Sequence, residues 1–339
     1  MRRANPNGVQ LFPHRGAVLT LSCLAASSDW DFPFFKRLAN NDTGAAPGHQ
    51  GGIVIPKDLR VFFPGLTESN TSAWSPTTDR RITAELFVEG KFLAVVDTRY
   101  QYQTWGGERS AESRLTDQLV PLRELARGGD ILIFQRSVDA LDLFRLTLVR
   151  QTSTEYSIVT EVTEGKRWGA LGKELPLTQR DLDAAVVLET SREQAPFFLV
   201  DEAASFIESR TKRVARSVAF RETVNELYAC SCAVCGSGLR SPLGKTEVDA
   251  AHIVPRARLG PDDARNGLSL CKRHHWAFDN GLFGISDSMA IIVPTAVMTI
   301  PQNIGLKELS GRLIYPPSDC SLTPHCDALE WHRENVMFK

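Results

Sequence analysis

The sequence predicts a two-domain α+β protein, with a β-rich N-terminal half and a C-terminal half organised around a metal ion. Three observations lead to this prediction. The chain has 339 residues, more than a single domain usually holds. Short runs of β-branched and aromatic residues alternate with turn residues up to about Pro176. Further along, Cys232-x2-Cys235 is followed, after a gap of 35 residues, by Cys271-x2-His274, the spacing of a closed tetrahedral zinc site.

Residues 1–28 form an N-terminal extension with little structural signal, and the first domain spans 29–180. Its predicted strands surround one helix over Leu115–Ala126, which Pro121 interrupts. Several short strands around one or two helices favour a small barrel or pseudobarrel. A polar linker is predicted over 181–205, and the second domain over 206–339. The strand-like runs are Ile53–Pro56, Ile82–Val88, Phe92–Asp97, Ile131–Gln135 and Leu143–Val149.

The overall composition is that of an ordinary globular protein, with 42% hydrophobic and 23% charged residues. A net charge of −1 does not by itself indicate nucleic-acid binding, but the distribution is uneven. Between 206 and 275 there are 12 Lys and Arg against 7 Asp and Glu, and 209–221 contains five basic residues and no acidic one. This basic segment is either a solvated helix face or a surface that contacts phosphates.

The cysteine content favours a reducing compartment. Seven cysteines in a chain of this length do not make the disulfide framework of a small secreted protein, and three of them fit zinc. No stretch approaches the roughly 18–20 apolar residues that a membrane span needs. We therefore expect a cytoplasmic protein with no membrane association.

Two sets of metal-type residues interlock in the second domain. The structural zinc ligands are expected to be Cys232, Cys235, Cys271 and His274. A second set, which zinc does not need, lies between and after these ligands: His252, Asn266 and His275. Because His274 and His275 are adjacent, one can face zinc while the other faces elsewhere. The pattern suggests a structural metal that holds a separate catalytic site together.

This part of the sequence resembles the HNH nucleases, whose fold is a β-hairpin, a metal and a helix (ββα-metal). The resemblance covers about 210–339. It implies that His252 is the general base, that Asn266 braces the hairpin loop or touches the metal, and that His275 ligates a catalytic Mg²⁺ or Mn²⁺. The stretches that carry it are Asp249–Pro255, Asn266–Cys271, His274–Asp279, the lead-in from Phe220 to Gly236, and the tail Trp331–Glu334.

One position departs from the family pattern. Many HNH enzymes carry an Asp or His directly before the base, where this chain has Ala251. Asp249 lies two residues earlier, on the same face of an extended strand, and is our candidate for the second ligand of the catalytic ion. Asp279, one helical turn after His275, is an alternative.

The chemistry suits these residue types. Hydrolysis of a phosphodiester needs an activated water, which an imidazole with a pKa near 6.5 can provide at neutral pH. It also needs stabilisation of the developing charge, which a divalent cation beside the phosphate provides. Arg256, Arg258 and Arg265 flank the predicted site. Each is either a phosphate clamp or a charged residue that serves solubility.

The first domain resembles the N-terminal DNA-binding domain of the restriction endonuclease EcoRII, a B3-type pseudobarrel. The segments that carry the likeness are Phe35–Gln50, Ile53–Pro56 and Tyr102–Gly106. The resemblance implies two arms that grip the major groove, the second of them less basic here than in EcoRII. Small polar residues of the first arm suit phosphate contact, and Arg and Gln of the second suit base edges. The candidate contacts are Lys36, Arg37, Asn41, Asp42, Thr43, His49 and Gln50 in the first arm, and Arg99, Tyr100, Gln101, Gln103 and Arg109 in the second.

Together these features predict a Type II restriction endonuclease that recognises and cuts double-stranded DNA. With one active site per chain, cutting both strands suggests a homodimer on a near-symmetric site, with a DNA methyltransferase encoded separately as its partner. One alternative is an enzyme that requires 5-methylcytosine and reads it with aromatic side chains. The other is a non-catalytic DNA-binding regulator. The aromatic candidates are Trp74, Tyr100, Tyr102 and Trp105.

Overall fold

The structure is a computed structural model that describes residues 9–11, 19–21, 24, 29–43, 52–66, 74–105, 110–138, 140–172, 174–201, 210–242 and 245–338. The chain divides into two compact units, residues 1–180 and 181–339. None of the helices within these described ranges is long and apolar enough to cross a membrane.

The first unit is built on a curled eight-stranded β half-barrel, as the sequence predicted for a β-rich pseudobarrel. The strand order is β10-β3-β8-β9-β5-β6-β7-β4, and all neighbours are antiparallel except β5 and β9. A separate pair of strands precedes the sheet. The elements are β1 (Val9–Leu11), β2 (Leu19–Leu21), β3 (Phe34–Arg37), α1 (Asn40–Thr43), β4 (Ile53–Ile55), β5 (Thr77–Val88), β6 (Lys91–Gln103), β7 (Glu112–Leu115), α2 (Val120–Arg123), β8 (Ile131–Arg136), β9 (Leu143–Val149), α3 (Tyr156–Val162) and β10 (Trp168–Ala170).

Aromatic side chains fill the concave face of this sheet. The Phe34 and Phe134 rings stack with centroids 5.0 Å apart, and Phe63 and Phe144 stack at the same distance. All four side chains are fully buried. Burial of side chains of this size contributes roughly 1.5–3 kcal/mol each, so this cluster is a main source of stability for the first unit.

The predicted helix over Leu115–Ala126 is shorter than expected. Leu115 ends β7, where it pairs with Ile53 of β4 and Tyr100 of β6. The helix itself is α2, with Pro121 in its first turn, where the missing N–H of proline costs nothing. Sheet pairing of Leu115 therefore overrides the helical pattern at the start of this segment.

The second unit contains the predicted β-hairpin and helix. Its elements are α4 (Gln179–Glu193), α5 (Arg210–Leu227), β11 (Val248–His252), β12 (Gly267–Cys271), α6 (Lys272–Asp279), β13 (Gly284–Ile285), β14 (Ile291–Ile292), α7 (Thr295–Met298), α8 (Ile304–Lys307) and α9 (Cys326–Asn335). The first part of the segment predicted as a linker, 181–205, is helical up to Glu193, because α4 buries Leu182, Ala185 and Glu189.

The hairpin lies directly against α5. In β11 and β12, Val248 pairs with Cys271 and His252 with Gly267. A Cβ at position 267 would come within 2.5 Å of the Val224 side chain and 3.0 Å of the Phe220 ring, both on α5. Gly267 is thus required for the close approach that brings the end of β11 onto this helix.

Candidate active site

The four predicted zinc ligands converge. Cys232 and Cys235 lie in the turns after α5, Cys271 ends β12, and His274 lies in the first turn of α6. One potential ligand atom from each lies within 4.8 Å of the others. The His274 Nδ1 is 3.4 Å from the Cys232 Sγ and 3.2 Å from the Cys271 Sγ. Ligands at tetrahedral zinc stand roughly 3.5 Å apart for an S and N pair, so the residues fit this ion.

Burial acts in opposite directions on the thiols and on the imidazole of this cluster. Burial raises the pKa of the Cys232 thiol to about 12 and also raises the pKa of Cys271. A bound cation would supply the charge that stabilises their thiolates in this environment. Burial lowers the pKa of His274, which keeps the imidazole neutral and available as a ligand.

His252, the predicted general base, ends β11 with its ring held on two sides. The ring stacks on Phe220 at 3.9 Å between centroids and 15° between planes. Its Nε2 lies 3.0 Å from Oδ1 of Asp262. The side chain keeps 18% of its surface exposed, so the imidazole remains open to small molecules.

Asn266, the predicted brace of the hairpin loop, is fully buried. Its Oδ1 accepts a hydrogen bond from the Val254 N–H at 2.9 Å. Its Nδ2 donates to the carbonyl oxygens of Val254 at 3.1 Å and Pro261 at 2.9 Å. The side chain therefore ties together both ends of the loop that joins His252 to Asp262.

His275 and Asp249 lie side by side, on α6 and β11. The Asp249 Oδ2 is 3.0 Å from the His275 Nδ1, and its Oδ1 accepts a hydrogen bond from Lys272 at 2.6 Å. On the other side of the ring, the Asp279 Oδ2 is 3.4 Å from the His275 Nε2. An imidazole between two carboxylates is a donor set that suits a divalent cation. Either nitrogen of His275, with the carboxylate beside it, could therefore contribute to such a site.

The pKa shifts in this group have definite causes. The hydrogen bond to Asp249 raises the pKa of His275. Burial opposes ionisation of Asp249, but hydrogen bonds from His275 and Lys272 outweigh it and lower the pKa of that carboxyl. Burial raises the pKa of Asp279, which interacts electrostatically with both His275 and His252.

Next to His252 lies a group of charged residues whose acidic members, Asp262 and Asp201, were not among the candidates from the sequence. Asp262 is buried, and its Oδ2 is 3.3 Å from Nη1 of Arg256 and 3.7 Å from Nε of Arg216. The Asp201 Oδ2 is 3.0 Å from Nη2 of Arg192 and 3.7 Å from Nη1 of Arg216. No motif or helical period relates Asp262 to His252, since nine residues of a loop separate them.

Arg256 and Arg258, the predicted phosphate clamps, differ in their surroundings. Arg256 is half-buried, with Nη1 held by Asp262 and by the carbonyl oxygen of Gly260. Arg258, two residues later on the same turn, is exposed. Arg258 is therefore more accessible to a ligand than Arg256, whose guanidinium is held by contacts within the loop.

Some of the first-arm candidates in the first unit are buried, and others are partly exposed. Lys36 and Asp42 form a buried ion pair of 2.7 Å, and burial lowers the pKa of Lys36 despite its partner. Arg37 donates to the hydroxyl of Tyr156. Asn41 and Thr43 are half-buried on α1, and His49 and Gln50 lie outside the described residues. Direct DNA contact by Lys36 and Asp42 does not fit their burial.

The second-arm candidates show a similar division. Tyr100 and Gln101 are buried within the sheet, whereas Arg99 and Gln103 are half-buried. Arg99 donates to the amide oxygen of Gln101 at 2.5 Å. Arg109 lies outside the described residues. Alternation along β6 explains the difference between Tyr100 and its neighbour Arg99, because successive side chains point to opposite faces of the sheet.

One family model matches part of the second unit. Residues 232–286 match the model of the HNH endonuclease family HNH_2, which confirms the resemblance seen in the sequence. This match contains the four predicted zinc ligands and the His252, Asn266 and His275 set. No curated protein matches the chain.

Three solved structures resemble parts of the chain. The modification-dependent TagI restriction endonuclease has a TM-score of 0.27 and 16% identity, and the match covers 66% of this chain. This chain spans only about half of that protein's length, 55%. The B3 domain of the UbaLAI restriction endonuclease with cognate DNA has a TM-score of 0.31 and 21% identity, covering 46% of this chain and 89% of the other. The N-terminal domain of Helicobacter pylori LlaJI.R1 has a TM-score of 0.29 and 11% identity, and the match covers 42% of this chain and 98% of that domain.

Proposed function

We propose that this protein is a sequence-specific endonuclease of double-stranded DNA, acting as a Type II restriction enzyme. The observation that carries the proposal is the hairpin and helix of the second unit, which presents His252 at the end of β11 and the His275 and Asp249 pair beside it. A zinc ion in the cluster of three cysteines and His274 would fix α6 to β12 and so hold this arrangement.

In the proposed reaction, His252 takes a proton from water while the water oxygen forms a bond to phosphorus. The bond from phosphorus to the 3′-oxygen breaks with its electron pair on that oxygen, which then takes a proton from solvent. The products are 5′-phosphate and 3′-hydroxyl ends. A divalent ion, Mg²⁺ or Mn²⁺, held by His275 and Asp249 would stabilise charge on the phosphate oxygens. Asn266 contributes by holding the loop that carries His252 and Asp262.

DNA recognition is assigned in this proposal to the first unit, on its resemblance to B3-type domains. Arg37, Asn41, Thr43, Arg99 and Gln103 are the described candidates that retain exposed surface. Arg258 of the second unit would contact phosphate near the cut. Cutting both strands calls for two active sites, so the active species is proposed to be a homodimer, with a separate methyltransferase protecting host DNA.

The decisive experiment is digestion of plasmid DNA with the purified protein and Mg²⁺ or Mn²⁺. Wild-type protein is expected to give discrete fragments, and His252→Ala to give none while keeping its fold and its DNA affinity. Glu308→Ala, a change at an exposed residue remote in sequence from the site, serves as the control and should cut like the wild type. Equal cleavage by His252→Ala would contradict the role of His252 as general base. DNA binding with no cleavage by any of the proteins, the wild type included, would favour a non-catalytic DNA-binding protein.

One observation favours a second candidate, an enzyme dependent on 5-methylcytosine. Tyr100 and Tyr102 line a cavity of about 450 Å³ in the first unit, together with Arg60, whose guanidinium lies 5.4 Å from the Tyr102 ring centroid. An aromatic-lined cavity of this kind suits a flipped base. Trp74, by contrast, is 98% exposed. Digesting matched methylated and unmethylated plasmids separates the two candidates, since only the second predicts fragments from methylated DNA alone.

A further inference from the structure

The contact between His252 and Asp262 determines which nitrogen of the imidazole can act as a base. A carboxylate only accepts hydrogen bonds, so a contact of 3.0 Å between the Asp262 Oδ1 and the His252 Nε2 requires the proton to be on Nε2. In the neutral imidazole, the lone pair is then on Nδ1. This assignment follows from the acceptor and does not depend on DNA or on a metal ion.

The surroundings of Asp262 keep it ionised and fix its position. Burial opposes ionisation of this carboxyl, but the hydrogen bond from His252 and the charges of Arg256 and Arg216 lower its pKa overall. Its second oxygen faces those two arginines, while the first faces His252. An acceptor that is buried, charged and held on both sides is a rigid support for the ring.

The ring itself has little freedom to turn. Phe220 covers one face in a stacked contact, and Gly267 allows α5 to come close enough for that contact. Asn266 holds the loop from Val254 to Pro261, which carries Asp262 to its place beside the ring. The hydrogen bond and the stacking contact thus restrain the ring in different directions.

We propose that Asp262 is a positioning residue of the nuclease site. It holds His252 in the tautomer with the proton on Nε2, so that Nδ1 is the atom that accepts the proton of the attacking water. This inference rests on the proposed role of His252 as general base. Asp262 contacts neither DNA nor the reacting atoms, and its effect on cleavage would pass through the imidazole.

The first test measures the tautomer directly in the full-length protein loaded with zinc. Protein labelled with ¹⁵N at histidine is studied by NMR at a pH at which His252 is neutral, and the His252 signals are assigned by their loss in His252→Gln. The wild type is expected to show a protonated Nε2 and an unprotonated Nδ1. A protonated Nδ1 in the wild type would overturn the proposal without any further variant.

The second test compares Asp262→Asn with Asp263→Asn. An amide at position 262 can either accept from Nε2 or donate to it, so the tautomer should become mixed. Cleavage at saturating DNA is expected to fall by roughly 100-fold or more, as when a positioning aspartate is lost from other histidine bases. The affinity for DNA, measured with Ca²⁺ in place of Mg²⁺, should stay within about twofold.

Asp263→Asn is the matched control because it removes a buried carboxylate one residue away. Asp263 pairs with Arg265 and caps the following turn. Within the described part of the chain it forms no hydrogen bond or ion pair with His252. The proposal expects this variant to keep the wild-type tautomer and to lose far less activity. An equal loss in both variants, or a wild-type tautomer and rate in Asp262→Asn, would overturn it.

The two readouts also separate this inference from the proposed function. If no variant and no wild-type preparation cuts DNA, yet the tautomer depends on Asp262, the nuclease proposal fails and the positioning contact stands. If cleavage requires His252, but the tautomer and the cleavage rate are the same in Asp262→Asn as in the wild type, the nuclease proposal stands and this inference fails.

Discussion

The Cys271 Sγ lies 3.2 Å from the His274 Nδ1, across the junction at which β12 ends and α6 begins. A metal ion bound here would join the hairpin to the helix that carries His275. Structural zinc contributes several kcal/mol or more to small domains of this kind. The stability of the second unit should therefore depend on the metal.

We predict one zinc ion per chain by elemental analysis, and a fall of roughly 10 °C or more in the melting temperature after chelation. Cys271→Ser should reproduce the fall without a chelator. Cys320→Ser is the control, since Cys320 is exposed and outside the cluster, and its melting temperature should stay near that of the wild type. A chelated protein with unchanged melting would contradict the structural role.

The buried His332 should make stability fall at mildly acidic pH. Its ring stacks on Phe278 at 3.7 Å and its Nε2 donates to the Phe278 carbonyl oxygen, while its buried Nδ1 has no partner among the described residues. Burial lowers its pKa from 6.5 to about 4. The unfolded state then binds more protons between these values, so stability present above pH 6.5 is lost as pH falls towards 4.

The full loss from His332 is about 3 kcal/mol, because each unit of pKa shift corresponds to about 1.4 kcal/mol. Urea unfolding of the wild type and His332→Gln at several pH values between 7 and 4 measures it. Zinc release at low pH affects both proteins, so the difference between their curves isolates His332. Parallel curves across this range would show that the imidazole titrates normally.

Glu189 should have the opposite pH dependence. This side chain of α4 is 4% exposed, and burial, together with Glu193, Asp262 and Asp263, raises its pKa from 4.5 to about 9. The folded state binds the extra proton, so the contribution of Glu189 to stability is greatest below pH 4.5 and declines as pH rises towards 9.

Glu189→Gln removes this titration and keeps the shape of the neutral acid. The free energy of unfolding at pH 7 should rise by about 3 kcal/mol, with a larger gain at pH 8. Glu330→Gln, at an exposed position of α9, should change it by less than about 0.5 kcal/mol. A lower stability of Glu189→Gln at pH 7 would contradict a protonated Glu189.

Asn266 should matter for stability as well as for catalysis. Asn266→Ala would leave the N–H and C=O of Val254 and the C=O of Pro261 buried without this partner. The expected cost is about 3 kcal/mol by denaturant unfolding, since each unsatisfied buried group costs about 1–3 kcal/mol and the loop can relax in part. Asn280→Ala, which removes an exposed amide on the Trp276 carbonyl, should cost under about 1 kcal/mol.

The ion pair of Lys36 and Asp42 should be worth far more than an exposed pair in the same unit. Asp42 also accepts hydrogen bonds from the backbone N–H groups of Ala39 and Val54. Asp42→Asn is expected to cost about 3–5 kcal/mol, because it leaves the lysine charge buried. Adding Lys36→Met should recover part of this loss. Asp142→Asn breaks the exposed pair with Arg80 and should cost under about 1 kcal/mol.

The sequence predicts which side chains of the candidate site lie together where their spacing along the chain determines their distance in space. Two intervening residues bring both side chains of a ligand pair together in one turn of chain, which is why Cys271 and His274 could be expected to lie side by side before any fold was known. The five strand-like runs lie in strands, except that β4 ends at Ile55, one residue before Pro56. Their residue types favour extended backbone.

Contacts between irregular segments were not predictable. Asp262 reaches His252 because Asn266 folds the loop between them, and no local pattern reports this. Lys36 and Asp42 looked like surface residues of a polar loop, but each neutralises the other inside the unit. The segment Tyr156–Val162 is rich in β-branched residues yet forms α3, with Val159 buried against the sheet. In each case tertiary packing outweighs local preference.

The adjacency of His274 and His275 has a consequence for how this site can change. Successive residues of a helix point about 100° apart, so a metal that fixes one histidine also fixes the direction of the next. Substitutions on the other faces of α6 leave this relation intact. A single-residue insertion or deletion between Cys271 and His275 would rotate one histidine away from its target however the rest of the helix adapts. In this region, therefore, we expect homologous sequences to differ by substitution and to share one length.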